Sequence, residues 1–256
     1  MAETPALAIE NLKKSYGRLE AVSDLTLEVA AGEIYAFLGP NGAGKTTTLR
    51  TAAGLLLPDG GSIRICGEPV EADALPFRRL MAYVPDRPYL YERLTAWEYL
   101  DFLARVRGLR EWQDRARSLL ERFRLEAWAH QLVEGFSHGM RQKLVLVGAL
   151  LHRPRLLMVD EPMVGLDPRS SRDVRDLFGE LASEGTGLFL STHSLDMAAE
   201  VAHRIGILHR GRLVAEGAFG ELQTLASRPG SSLEDIFLTL TEEKWEEESR
   251  AGFGAS

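Results

Sequence analysis

The chain alternates short apolar runs with amphipathic stretches, and the two periods can be told apart. Leu7-Ala8-Ile9 and Leu25 to Val29 read as short strands with partial alternation. Glu33 to Leu38 is an apolar run of strand length, followed by a helix from Lys45 to about Gly54. Pro58-Asp59-Gly60-Gly61 is a strong turn signal before a strand over Ser62 to Cys66. Leu80 to Val84 reads as another strand, ending at Pro85-Asp86. From Thr95 to about Gln131 the period becomes helical. Tyr99, Leu100, Leu103 and Val106 form one face, Leu119, Leu120 and Phe123 another, and Gly108 divides two helices. We read this stretch as a helical insertion; further helices packed on the sheet are the alternative. Ser137 is placed to cap a helix running to Leu151. Leu156 to Val159 and Gly187 to Ser191 read as buried strands, separated by a helix whose inner face is Val174, Leu177, Phe178 and Leu181. Arg210-Gly211 predicts a hairpin, Phe219 to Ala226 a short helix, and Leu233 to about Leu240 a last one. Thr241 to Ser256, mostly acidic and then small, reads as a solvated, mobile tail.

Strands alternating with helices at this spacing predict a parallel sheet of βαβ units. Ligands of such sheets sit at the carboxyl ends of the strands. Three chemical motifs fall there. The first is Gly39-Pro40-Asn41-Gly42-Ala43-Gly44-Lys45-Thr46-Thr47, which fits the phosphate-loop pattern G-x-x-x-x-G-K-[ST] at every fixed position. Its glycines let the backbone curl so that N–H groups point inward, and the following helix adds its positive end. Lys45 supplies a charge for the β- and γ-phosphates, and the Thr46 hydroxyl a ligand for Mg²⁺. The second is Asp160-Glu161 after a buried strand: Asp160 suits Mg²⁺, and Glu161 is placed to polarise a water. The third is His193, which could bind the γ-phosphate or position that water. Tyr16, in a turn ahead of the loop, could stack on adenine; a half-buried aromatic is the plainer reading.

Composition narrows the setting without changing the chemistry. The 256 residues carry a net charge of −7, so no basic field argues for nucleic acid. The one cysteine, Cys66, permits no internal disulfide and suits a reducing compartment. No basic segment followed by an apolar stretch opens the chain, so no signal peptide is expected. The longest apolar run, Leu144 to Leu151, is far short of a membrane span, so any membrane work would need another chain.

Taken in order, these motifs resemble the nucleotide-binding subunit of ATP-binding cassette (ABC) transporters. The matching elements are Tyr16, the loop Gly39–Thr47, Tyr83-Val84-Pro85-Asp86, Phe136–Met140, Asp160-Glu161 with Gly165-Leu166-Asp167, and His193. The resemblance spans roughly residues 7 to 217. It implies an α/β P-loop NTPase with a mixed or parallel sheet core, an N-terminal antiparallel β subdomain and a helical insertion subdomain. The implied division is a cassette over 1–240, with core at 7–85 and 154–217, helical subdomain at 86–153, and a helical extension at 218–240. It implies ATP and Mg²⁺ as cofactors, and a second ATP-binding subunit whose Ser137 and Gly139 reach the γ-phosphate of the first. It further implies a separate integral-membrane permease, a place at the cytoplasmic face of the membrane, and no nucleic-acid partner.

This chain departs from the family pattern twice. The usual L-S-G-G-Q is Phe136-Ser137-His138-Gly139-Met140, so the amide contact at 140 is lost while Ser137 and Gly139 remain. The usual glutamine after Pro85 is Asp86, which can still ligate Mg²⁺ or a water but has no donor. The same stretches, with Leu90–Thr95 and Leu233–Phe237, are similar to a bacterial efflux branch exporting drugs, antibiotics or polysaccharides. The segment Pro88 to Trp97, with Tyr89, Tyr91 and Trp97, is the expected surface for the permease if those rings are exposed. A soluble ABC ATPase of cluster assembly or another interaction machine stays open. A small-molecule kinase or GTPase fits the 136–140 stretch and Thr192-His193 less well.

Overall fold

The computed structural model describes residues 4–71, 75–87 and 89–241. Residues 242–256, expected to be a charged tail, lie outside the described residues.

Two sheets organise the chain. A four-stranded antiparallel sheet has the order β2-β1-β4-β5, from Leu7–Tyr16 (β1), Leu19–Val29 (β2), Gly60–Ile65 (β4) and Glu68–Pro69 (β5). A six-stranded sheet has the order β10-β9-β3-β8-β7-β6. Its strands are Ile34–Leu38 (β3), Met81–Val84 (β6), Leu156–Asp160 (β7), Gly187–Thr192 (β8), Arg204–His209 (β9) and Arg212–Gly217 (β10). Strands β9, β3, β8, β7 and β6 run parallel, and β10 pairs antiparallel with β9 across Arg210-Gly211. This is the α/β P-loop architecture expected, with a mixed sheet.

The six-stranded sheet is covered on both faces, which is why its strands read as continuous apolar runs rather than alternations. Tyr35 and Phe37 of β3, Met158 of β7 and Phe189 of β8 pack with Leu49 and Ala52 of helix α1 (Lys45–Ala52) and with Leu7, Ile9, Leu27 and Val29 of the antiparallel sheet. Phe37 and Phe189 meet with ring centroids 5.3 Å apart. The alternate residues, Leu157, Val159, Leu188 and Leu190, face helices α5 (His138–Leu150) and α6 (Pro168–Ser183). Each such side chain contributes about 1.5–3 kcal/mol when fully buried. At the β9 side, Ala36, Leu38, Ile205 and Ile207 pack under α7 (Leu195–Val201), α8 (Phe219–Leu225) and a last helix over 233–241.

The helical stretch contains α3 (Ala96–Val106) and α4 (Gln113–Arg122), broken at Gly108 as expected. Both pack on α5 within the same apolar cluster as the sheet. Thr95 and Glu98 close a capping box that starts α3. Three expectations need correcting. Val106 is 69% exposed, because α3 ends there and its last turn leaves the α5 contact. Trp97 packs against Trp112 with the rings tilted and their centroids 5.0 Å apart, and Arg117 lies over its ring, so it belongs to the packing of α3 on α4. Tyr16 ends β1 opposite Leu19, and only Gly17-Arg18 form the turn, because pairing with β2 carries the strand through Lys13–Tyr16. Helices α2 (Pro76–Leu80) and α7 had no clear periodic signal, since each is at most two turns long.

His152, just past α5, is held with Nε2 3.0 Å from the Met81 carbonyl and 3.0 Å from the Arg107 guanidinium. Burial first, then the Arg107 charge, pushes its pKa down to about 4. A depressed histidine is neutral in the fold and takes up its proton in the unfolded chain, so stability falls as pH drops from about 6.5 towards 4. Thermal melts should show His152→Gln losing less midpoint than wild type over that window; equal acid sensitivity would remove His152 from the account.

Candidate functional site

The strand order β3-β8-β7-β6 lays the sequence motifs side by side along one edge. Leu38 pairs with Thr192, and Asp160 with Ser191, so the loop after β3, His193 after β8, and Glu161 after β7 leave the sheet at one level. Asp86 follows β6, the next strand.

The phosphate loop is shaped by its neighbours as much as by itself. Gly44 has φ +107°, and a Cβ there would lie 2.3 Å from the Ala21 carbonyl oxygen of β2, which crosses directly over the loop. Only glycine satisfies both constraints. Gly39 needs its bareness for space alone: a Cβ would meet the Leu208 carbonyl oxygen of β9 at 2.5 Å. No side chain caps α1, so the N–H groups of its first turn are not taken by a cap. Pro40 and Asn41 sit exposed at the rim, and Thr46 and Thr47 are half-buried in the first helical turn. Lys45 is buried, its Nζ donating to the carbonyls of Gly39 at 2.6 Å and Pro40 at 3.2 Å. Burial lowers its pKa, while the Glu161 and Asp160 carboxylates oppose that shift. An ammonium held this way can exchange loop carbonyls for phosphate oxygens.

Asp160 ends β7 and is 1% exposed. The Ser191 hydroxyl donates to its Oδ1, while Oδ2 is buried with no hydrogen-bond partner. Burial raises the Asp160 pKa; the Ser191 and Thr46 hydroxyls pull it down, and the Asp86 and Glu161 charges push it up again. A partnerless carboxylate oxygen beside a threonine hydroxyl fits a hard cation that takes oxygen ligands and keeps several waters. Among the described residues no group of three or more His, Cys, Asp or Glu forms a metal cage, so water and phosphate would complete the shell.

Glu161 occupies the left-handed region with φ +52°, at a cost of roughly 1–2 kcal/mol, in the turn that follows β7. Its N–H donates to the Ser191 carbonyl at 3.0 Å. Its Oε1 lies 2.9 Å from His193 Nδ1, and its Oε2 accepts from Thr192 Oγ1 and the His193 N–H, each at 3.4 Å. His193 therefore orients Glu161, leaving the carboxylate at the mouth of the site. Asp86 accepts from the Arg87 N–H at 2.9 Å, and its charge is felt at Asp160. Tyr16, 48% exposed, carries Lys14 Nζ 6.0 Å from its ring centroid; it stands on the hairpin whose return strand crosses the loop.

Ser137 and Gly139 are placed elsewhere. Ser137 caps α5, accepting from the Met140 N–H at 3.3 Å. Among the described residues no hydrogen bond or ion pair joins either residue to 39–47. They abut the segment after Glu161 instead: a Cβ on Gly139 would lie 3.3 Å from the Gly165 carbonyl oxygen. The His138 ring covers Gly165, which has φ +76°. Met140, where the family carries an amide, packs against the apolar cluster of the helical region. Asp167 anchors the same segment, accepting from the Arg169 and Ser170 N–H groups at 3.0 Å each as the cap of α6.

The family model for "ABC transporter" matches residues 22–164. The chain belongs to the ABC transporter ATP-binding family. It is 41% identical over 94% of its length, and 80% of the relative's, to an uncharacterized ABC transporter ATP-binding protein, YxlF, of Bacillus subtilis (strain 168). It is 39% identical to the Nod factor export ATP-binding protein I of Paraburkholderia xenovorans (strain LB400), covering 91% of this chain and 76% of that one. It is also 39% identical to the daunorubicin/doxorubicin resistance protein DrrA of Streptomyces peucetius, covering 86% and 68%. A solved ATP-binding subunit of an ABC transporter superposes with a TM-score of 0.88 at 36% identity, covering 92% of this chain and 99% of that one. The chain is thus an ATP-binding subunit of the ABC transporter class, and an ATPase.

The motif pattern missed the hydroxyl contacts of Ser191 with Asp160 and of Thr192 with Glu161, and the His138–Gly165 contact. Serine and threonine ending an apolar strand carry no distinct signal, and the last contact joins residues 27 apart. Gly165→Ala should lower the melting midpoint by several degrees, because its Cβ would strike the His138 ring and its φ is left-handed. His138→Gly in the same chain should restore part of that loss; a double variant melting no higher than Gly165→Ala would refute the contact.

Proposed function

We propose that this ATPase powers export through a separate membrane permease, and that two ATP-binding subunits clamp each ATP between them. Export is supported by relatives named for Nod factor export and daunorubicin/doxorubicin resistance. Among the described residues no helix is long and apolar enough to cross a membrane, so a permease on another chain fits. Work at the cytoplasmic face of the membrane follows from that pairing.

The observation that carries the pairing is the separation just described. The phosphate loop, Asp160, Glu161 and His193 share one edge, while Ser137 and His138 stand exposed at the tip of α5. A second subunit could bring its Ser137 hydroxyl and its α5 N-terminus to the γ-phosphate, where helix N–H groups favour an anion. In this reading Gly39–Thr47 cradle the phosphates, Lys45 offsets their charge and Tyr16 stacks on the base. Thr46 and Asp160, with Asp86 near, would hold Mg²⁺, which neutralises charge on the β- and γ-phosphates. Glu161, oriented by His193, takes a proton from the attacking water.

The segment before α3 is the expected docking surface. Tyr89 is 93% exposed, and Tyr91 is 59% exposed with an edge contact to Phe102. Glu92, in the same segment, pairs with Arg141 of α5 at 2.7 Å, and Arg141 also donates to the Phe136 and Glu134 carbonyls. A permease pressing on 89–92 would therefore push on the residues that position Ser137.

Glu161→Gln should lower turnover by about 10²–10⁴-fold. It should also accumulate an ATP-bound pair on size-exclusion chromatography; wild-type turnover would remove Glu161 as the base. Ser191→Ala, which frees Asp160 Oδ1, should raise the Mg²⁺ concentration for half-maximal hydrolysis by about 10-fold or more. An unchanged Mg²⁺ dependence would place the cation elsewhere.

A further inference from the structure

The six-stranded sheet has a second edge, where β3, β7 and β8 begin. It lies about 16 Å from the catalytic edge, since β7 is a five-residue strand rising roughly 3.3 Å per residue. The chain enters these strands through Ala31-Gly32, Pro154-Arg155 and Gly185-Thr186, turns joined by the Gly32 N–H to Gly185 carbonyl bond at 3.1 Å. A cavity of about 800 Å³ opens there, with Cys66 of the antiparallel sheet on one wall.

Three guanidinium groups line it: Arg115 from α4, Arg153 from the turn after α5, and Arg155 at the entry to β7. Glu184 is the one carboxylate among the described lining residues. None of the ion pairs of the described residues uses any of the three arginines. Arg115 donates its Nε to the Leu150 carbonyl at 2.8 Å. Burial lowers the Arg115 pKa and the Arg153 charge lowers it further; Glu184 acts the other way. Thus a chain of net charge −7 gathers three cations around one concavity, with Glu184 the one carboxylate near them among the described lining residues and in no ion pair with any of the three. Such a set is repulsive when empty and attractive to an anion. Guanidinium forks bind phosphate oxygens bidentately, and three of them carry more positive charge than the about −1.5 to −2 of one phosphate group offsets. The volume likewise fits a small molecule rather than a lone ion.

We propose that this cavity is a binding site, separate from the ATP site, for a small molecule carrying two or more phosphate groups. Its arginines come from the helical region and from the sheet, so the bound anion ties α4 to the start of β7. Inorganic pyrophosphate is the probe, added to the full chain with the ATP site saturated by a non-hydrolysable ATP analogue. It should raise the melting midpoint of wild type by several degrees, saturably, and leave Arg153→Ala/Arg155→Ala unmoved. Without the probe that double variant should melt no lower than wild type, because among the described residues neither Arg153 nor Arg155 takes part in an ion pair. Arg153→Gln alone, at an exposed side chain, should weaken the apparent affinity for pyrophosphate at least fivefold. No shift in wild type, or equal shifts in wild type and both variants, would overturn the site.

Discussion

Lys45 is a buried ammonium set between loop carbonyls on one side and the Asp160 and Glu161 carboxylates on the other. The rest of the catalytic edge depends on that arrangement of charge. Burial works against both the lysine's charge and the aspartate's; the Glu161 and Asp160 carboxylates oppose that shift at Lys45, and the Ser191 and Thr46 hydroxyls oppose it at Asp160. Leu38 opposite Thr192 and Asp160 opposite Ser191 fix the level at which these groups leave the sheet. A one-residue slip would turn Asp160 into the apolar layer that holds Val159. The doubly covered sheet makes such a slip costly, because alternate residues are committed to different apolar clusters.

The same fold ties distant segments to that edge. The turn after β7 runs from Glu161 to Gly165, where the His138 ring closes on it, and on to Asp167, which caps α6. Arg141 joins α5 to Glu92, beside the exposed Tyr89 and Tyr91. A push on the 89–92 segment and a change around Glu161 therefore converge on the tip of α5 that carries Ser137. In the account proposed above, that convergence lets hydrolysis and permease motion drive each other.

The phosphate loop, Asp160-Glu161 and His193 could be placed from sequence because each is punctuated: glycines before a lysine, acids after an apolar run, a histidine after a strand. The inner faces of α4 and α6 were legible from their period, with Leu119, Leu120, Val174 and Phe178 buried as the spacing demands. Trp97 and Val106 were not, because an aromatic near a helix start and a valine in a last turn obey the period while the partner helix decides their burial. The orphaned oxygen of Asp160 and the Arg115–Arg153–Arg155 cavity were also invisible. Each is made by residues from separate elements that only the sheet brings together.

The most direct test is the affinity of Lys45→Ala for ATP, titrated by calorimetry on a chain shown to melt cooperatively. The account predicts a loss of at least about 100-fold, since about 3 kcal/mol of charge-assisted contact at the phosphates disappears. ATP binding within a few-fold of wild type would contradict it.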